Sequence, residues 1–373
     1  MWTLDPNAIL VWLILAFCGG VFGAAVGALC SFVLCGVAAI AASLCMLAGA
    51  SATGGTIDGW VTWGPLLGPQ TAFVGGCWAA VYARYHAGFH NGRDICKPLV
   101  ALNRPDVLLV GGIGGVCGAV MTWLFWLLPS YVLADGTAVA SSNTVACGVA
   151  VASMIGRLVL GRTGLFGTVA PGVNRWAGNA DACWLPWQHD PLQLLLIAVA
   201  VGLPSAFLAY VNPQTHLLVF GLMCVLFLFM ILGQSVIAGH HFAICAFFAV
   251  AATGNVAWGL AFAILAGFAC EILAFQFTAH GDSHIDPPTC GIMVCGFLQP
   301  LLIWLGVMRH RPLTGPTAAE ALHDFGNACM PGGDVTGLVA LAVVSIAAPL
   351  LLGALRRLPP ARGRAAPGSV RPA

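Results

Sequence analysis

Charge is what this chain has least of. Only 7% of its residues are Asp, Glu, Lys or Arg, against about 25% in an ordinary soluble domain. A soluble protein with an oversized core would still need a charged surface, and 13 acidic and 14 basic side chains among 373 residues cannot make one. With 60% hydrophobic residues, the expected class is all-α, a polytopic helical protein of the cell (inner) membrane. Lysine is nearly missing: Lys97 stands alone against 13 arginines, which fits a GC-rich bacterial genome. The opening Met1-Trp2-Thr3-Leu4-Asp5 lacks the basic region of a signal peptide, so the first apolar run is expected to remain as a span. No Gly-rich phosphate loop, dinucleotide fingerprint, nucleophile elbow or His-Glu-x-x-His occurs, which argues against ATP-driven pumping and gives no known metal spacing. The near-neutral net charge of +1 gives no electrostatic footprint for a nucleic-acid partner. The 15 cysteines form no Cys-x-x-Cys pair, and most sit in apolar runs, where a thiol packs as a small hydrophobe.

Long apolar runs are abundant. A helix needs about 20 apolar residues to cross the hydrocarbon core, and eleven runs come close: 8–27, 29–50, 66–83, 107–128, 139–156, 191–211, 216–238, 240–255, 256–279, 291–308 and 335–355. The short run 240–255 and the thin seam between the first two leave the count at ten or eleven. Basic residues collect in the loop with Arg84, Arg93, Lys97 and Arg104, in the loop with Arg157, Arg162 and Arg175, and in the tail from Arg356. Eleven spans put all three on one side, which the positive-inside rule makes cytoplasmic. Only Arg309 and Arg311 disagree. The expected topology is therefore N-terminus outside and C-terminus cytoplasmic, with a disordered basic tail at 356–373. Gly19, Gly23 and Gly27, Gly111 with Gly115, and Gly114 with Gly118 are small-residue rows suited to close helix packing or to a homo-oligomer contact.

Polar residues inside such a chain carry the information. His280, Asp282, His284 and Asp286 alternate before Pro287-Pro288, and in an extended segment that period puts all four on one face. Imidazole and carboxylate together suit a divalent metal ion as cofactor or cargo; the alternative is an ordered loop whose groups bond to turns and arginines. An earlier loop shares the pattern His-x-x-x-(Asp or His)-Ile-x-x-Pro, with His90 and Asp94 190 residues before His280 and His284. Both loops follow an outside-to-inside span. That suggests two parallel five-helix repeats, 1–156 and 216–355, joined by a linker and one helix at 157–215, a common plan in transporters.

Glu271 lies inside span 256–279, and ionisable groups at that depth usually mark a pathway. His240 and His241 open span 240–255 but point about 100° apart on a helix. Gln70 follows Pro69, and Gln299 precedes Pro300; prolines free carbonyls that can line a cavity, or simply kink a helix. Trp176, Trp184 and Trp187 in the loop 163–190, with Asp181, His189 and Asp190, suit an interfacial anchor.

The stretch His280 to Pro288 resembles a motif in a family of polytopic bacterial membrane proteins loosely described as permeases, for which no substrate or catalytic residue is established. A fainter likeness to His-Pro-Pro family membrane proteins rests on Gly239-His240 and a later Pro-Pro, with Asp286 here in place of the histidine. The expected function is a secondary transporter, or permease, for a small solute or ion, its partners being the bilayer and that solute. Its proton or ion path would run through Glu271, His240, His241, Gln70 and Gln299. The alternatives are a metal-dependent enzyme at the cytoplasmic face and a non-catalytic subunit of a membrane assembly.

Overall fold

The structure, a computed structural model, describes residues 4–177, 183–313 and 324–360. Asp181 and the basic tail beyond residue 360 lie outside the described residues. Each expected apolar run contains a helix: α1 (Pro6–Val26), α2 (Ala28–Leu47), α3 (Val74–His86), α4 (Pro105–Trp126), α5 (Thr144–Leu160), α6 (Pro191–Val211), α7 (His216–Val225, continued by Phe227–Ile231), α8 (His240–Thr253), α9 (Val256–Leu273), α10 (Pro287–Trp304) and α11 (Thr336–Arg356). Among the described residues eight helices are long and apolar enough to cross a membrane, while α5 and α8 are shorter apolar helices. Among the described residues the protein is all-α apart from an antiparallel pair of two-residue strands, Tyr131–Val132 with Ala138–Val139.

Helix boundaries follow capping chemistry. Asp5 and Asp190 precede Pro6 and Pro191, and each carboxylate accepts a hydrogen bond from an amide of the first turn. Proline is tolerated there because its missing N–H would have no helical partner. Asn143 caps α5 through the Ala146 amide, and Asp286 caps α10 through the Thr289 amide. The same rule applies at Pro287 and Pro288, which begin α10 four residues before the apolar run expected at 291–308, while Asp286 itself stays extended. The seam between the first two runs is a single residue, Gly27, at φ 94°, a left-handed value that glycine adopts without penalty.

The glycine rows are used inside the molecule. A Cβ on Gly23 would lie 1.8 Å from the Ala72 carbonyl oxygen, and one on Gly118 would lie 1.7 Å from that of Gln70. Gly20 packs directly on Gly111 and Gly115. These contacts bind α1 and α4 to the segment Pro69–Phe73, which approaches α3 as a π-helical turn. In the first five helices the packed pairs include α1 with α4 and α3, α4 with α3 and α5, α3 with α5, and α2 with α1 and α3. In the next five they include α6 with α9 and α8, α9 with α8 and α10, α8 with α10, and α7 with α6 and α8. The two sets meet where α2 lies along α7 and α5 against α10. Helix α11 packs on α9 and exposes Val339, Val343, Ile346 and Leu350 along its outer face.

Candidate functional site

A cavity of about 480 Å³ lies between the two five-helix sets. Its walls are apolar and aromatic, with Phe32, Trp63, Phe73, Trp184, Phe220 and Phe227 among them. Its polar groups are few: Ser142, Asn143, Thr144, His240, His284, Asp286, Thr289 and Gln299. Among the described residues no lysine or arginine lines it. A mostly apolar concavity with a handful of convergent polar groups is the usual form of a small-molecule site.

Among the described residues Asp286 is the cavity's only carboxylate, and it is 8% exposed. Its Oδ2 accepts from the Thr289 amide at 2.8 Å and from the Thr289 hydroxyl; its Oδ1 lies 3.2 Å from His284 Nε2. A carboxylate has about four acceptor positions, so Oδ1 keeps one to offer. The N-terminus of α10 favours the ionised form. His284 meets Phe73 edge-on, with ring centroids 5.8 Å apart. His240 is enclosed by Phe32, Phe227 and Phe220, with centroids at 4.9, 5.5 and 6.0 Å. Gln299 donates to the Cys245 carbonyl at 2.9 Å.

The alternating cluster does not converge. Asp282 turns to the opposite side of its loop and accepts from Tyr85 (2.6 Å), the Arg162 amide (2.5 Å) and Thr163 (2.8 Å). Burial alone would raise its pKa, but those donors outweigh it and hold the carboxyl below its usual range. His280 bonds the Arg175 carbonyl oxygen at 3.0 Å; burial, opposed by that bond and helped by the charges of Arg175 and Arg93, pulls its pKa down. The loop is too curved for a period of two, because Arg157 reaches into it. That guanidinium is fully buried and donates to the Ser283 hydroxyl at 2.8 Å, and to the carbonyls of Ser283, Phe277 and Leu165. A Cβ on Gly281 would lie 2.2 Å from Arg157 Cζ, so glycine is what lets the arginine in. Among the described residues no three His, Cys, Asp or Glu side chains are grouped to hold a metal ion.

Glu271 also lies away from the cavity lining. It is buried, and its Oε1 is 2.6 Å from His189 Nδ1 and 3.1 Å from Arg356 Nη2. Arg356 Nη2 is 2.7 Å from both Nδ1 and the carbonyl oxygen of His189. A protonated Nδ1 cannot accept, so the arginine bonds to the carbonyl and the carboxylate. A hydrogen bond with Cys183, then that with Glu271, raises the His189 pKa to about 9 despite burial. Gln70 donates to the Trp63 carbonyl at 2.6 Å. Its Oε1 and both ring nitrogens of His241 are buried without a hydrogen-bond partner among the described residues. His90 and Asp94 pair at 3.0 Å near the surface. Their loop does touch the later one, through Arg93 to the Ala279 carbonyl at 2.7 Å.

The model of a "Family of unknown function (DUF7973)" matches residues 3–174 and 174–316. The chain belongs to that family. The DUF7973 match includes α1 to α10 and the whole cavity, and stops before α11. No curated protein and no solved structure matches, so neither the permease motif nor the His-Pro-Pro likeness gains support beyond membership of DUF7973.

Arg157 and Asn143 were the residues hardest to see in sequence. Arg157 reads as a topology-setting charge at a helix end. Asn143 had an available signal: Asn143-x-x-x-Cys147-Gly148 and Asp286-x-x-x-Cys290-Gly291 share a spacing, and both caps line the cavity.

Proposed function

We propose that this DUF7973 protein is a secondary transporter of the cell membrane, holding a small solute in the cavity between two five-helix halves of opposite orientation. The observation that carries this reading is that corresponding positions of both halves line one cavity. Asp5 and Asp190 cap helices of 21 residues each, α1 and α6, and the single residues Gly27 and Asn212 then break both. Continuing that 185-residue register pairs Gly36 with Gly221, and these two glycines pack on each other. Self-contact of equivalent residues is the mark of a two-fold axis. The helix pairings of the second set repeat those of the first. Asn143 and Asp286, Ala146 and Thr289, and Val149 and Ile292 contribute equivalent pairs to the lining.

Five helices per half, with no connector, invert the second half in the membrane. This register replaces the parallel arrangement suggested by the two His-x-x-x loops. Those loops fall after the third helix of one half and the fourth of the other. Inverted halves around a central site are the common architecture for alternating access. The rival enzyme reading loses its metal cluster, and the subunit reading gains no observation. In proteoliposomes the purified protein should carry solute, and Asp286→Asn should reduce that flux at least about tenfold, the scale of losing a charged hydrogen bond. Full flux through the variant would refute the assignment of this cavity.

A further inference from the structure

We infer that the cavity's ligand is a compact organic cation, an amine or ammonium compound carrying an apolar body; this rests on the cavity being the transport site. Four features point to that class. First, among the described residues Asp286 supplies the cavity's only fixed charge, and no arginine or lysine among those lining residues neutralises it. An anion would meet an uncompensated carboxylate in a low-dielectric space, where like charges repel strongly.

Second, aromatic rings surround the polar corner. Phe32, Phe220 and Phe227 bracket His240, and Phe32 also meets Phe73 with centroids 5.9 Å apart. Ring faces attract a desolvated cation, and grouped rings are the usual receptor for ammonium groups. Third, the oxygen count is wrong for a hard metal ion. Such ions take roughly six to eight oxygen ligands, whereas the described lining offers one carboxylate, both of whose Oδ2 positions are filled by Thr289, an Asn143 oxygen engaged by the Ala146 amide, and otherwise only the side-chain oxygens of Ser142, Thr144 and Gln299. Fourth, the volume of about 480 Å³ falls in the range of drug-sized ligands and well above a bare ion. The ligand's N–H would take the acceptor position left on Oδ1 with Phe227 offering a ring face to the cation, and its apolar body would lie against Val149 and Ile292.

The test uses three near-isosteric probes, benzylammonium, benzyl alcohol and benzoate, titrated calorimetrically into the purified full chain in nanodiscs. Benzylammonium should bind saturably and the other two at least about tenfold more weakly. Asp286→Asn should lower benzylammonium affinity at least about tenfold with an unchanged melting temperature, since asparagine caps α5 in the equivalent place. Phe227→Leu keeps the wall apolar but removes a ring face, and should weaken benzylammonium several-fold while leaving benzyl alcohol unchanged. Benzyl alcohol or benzoate binding as tightly as benzylammonium, or an Asp286→Asn variant with wild-type affinity, overturns the inference. Binding that obeys these rules without any flux in liposomes would leave the cation assignment standing and remove the transport reading instead.

Discussion

Two buried charge centres behave differently because one is saturated and the other is not. Glu271 is closed by His189 and Arg356, so it ties the start of α6 to the ends of α9 and α11. Removing one member of such a group leaves the others uncompensated, at a cost of about 3–5 kcal/mol. Glu271→Gln should therefore lower the melting temperature markedly, while ligand affinity in the surviving folded fraction stays near wild type. An unchanged melting temperature with lost flux would instead return Glu271 to the transport path. The same centre sets a pH dependence. The His189 pKa is raised to about 9 by Cys183 and Glu271, so its contribution is fully present below the ordinary histidine value of about 6.5. It is then lost as pH rises through about 9. Thermal melts from pH 6 to 10 should show this decline, and His189→Gln should flatten it. Asp286, by contrast, retains an unfilled acceptor position in an otherwise apolar space, which is the condition for binding rather than for stability.

At the level of elements, close packing by glycine is the main structural device. Gly118→Ala would drive a methyl group into the Gln70 carbonyl oxygen, and overpacking of this kind costs about 1–3 kcal/mol or more because backbone must move. Gly55→Ala, in the short helix Ser51–Thr56, meets nothing within 4 Å and should be neutral or stabilising by up to about 1 kcal/mol. A melting comparison of the two variants checks this, and equal effects would contradict the packing account. The same contrast explains what was legible beforehand. Helix positions could be read from apolar runs because a bilayer imposes length and polarity on every span. Their starts shifted by several residues wherever Asn143 or Asp286 supplied a cap, since capping depends on one side chain rather than on average polarity. Four of the residues that line the cavity, His240, His284, Asp286 and Gln299, stood out as polar groups in apolar sequence, but their grouping did not. Whether Asp282 faced Asp286 or Tyr85 turned on Arg157 entering the loop from another helix, a contact 126 residues away in sequence.

On the scale of the whole molecule, the halves meet at one end through a polar seal. Arg157 holds Ser283, and Asp282 bridges Tyr85, Thr163 and the Arg162 amide; Arg93, Arg175 and Arg356 lie at the same end. These are the arginines that the positive-inside rule assigns to the cytoplasm. Cysteines introduced at His90 and Phe166, both exposed at that end, should accordingly label from one side only, the cytoplasmic one. If the halves rock about the axis between Gly36 and Gly221, this seal is the contact that must part for solute to leave on that side. Thr163 and Asp282 touch through both main chain and side chain, at 3.2 and 2.8 Å, so a Thr163→Cys/Asp282→Cys pair is placed to form a disulfide. Oxidised protein should bind benzylammonium but pass none across the membrane, and reductant should restore flux. Flux that continues with the seal locked would show that the two halves do not separate there, and would place the exit elsewhere in the bundle.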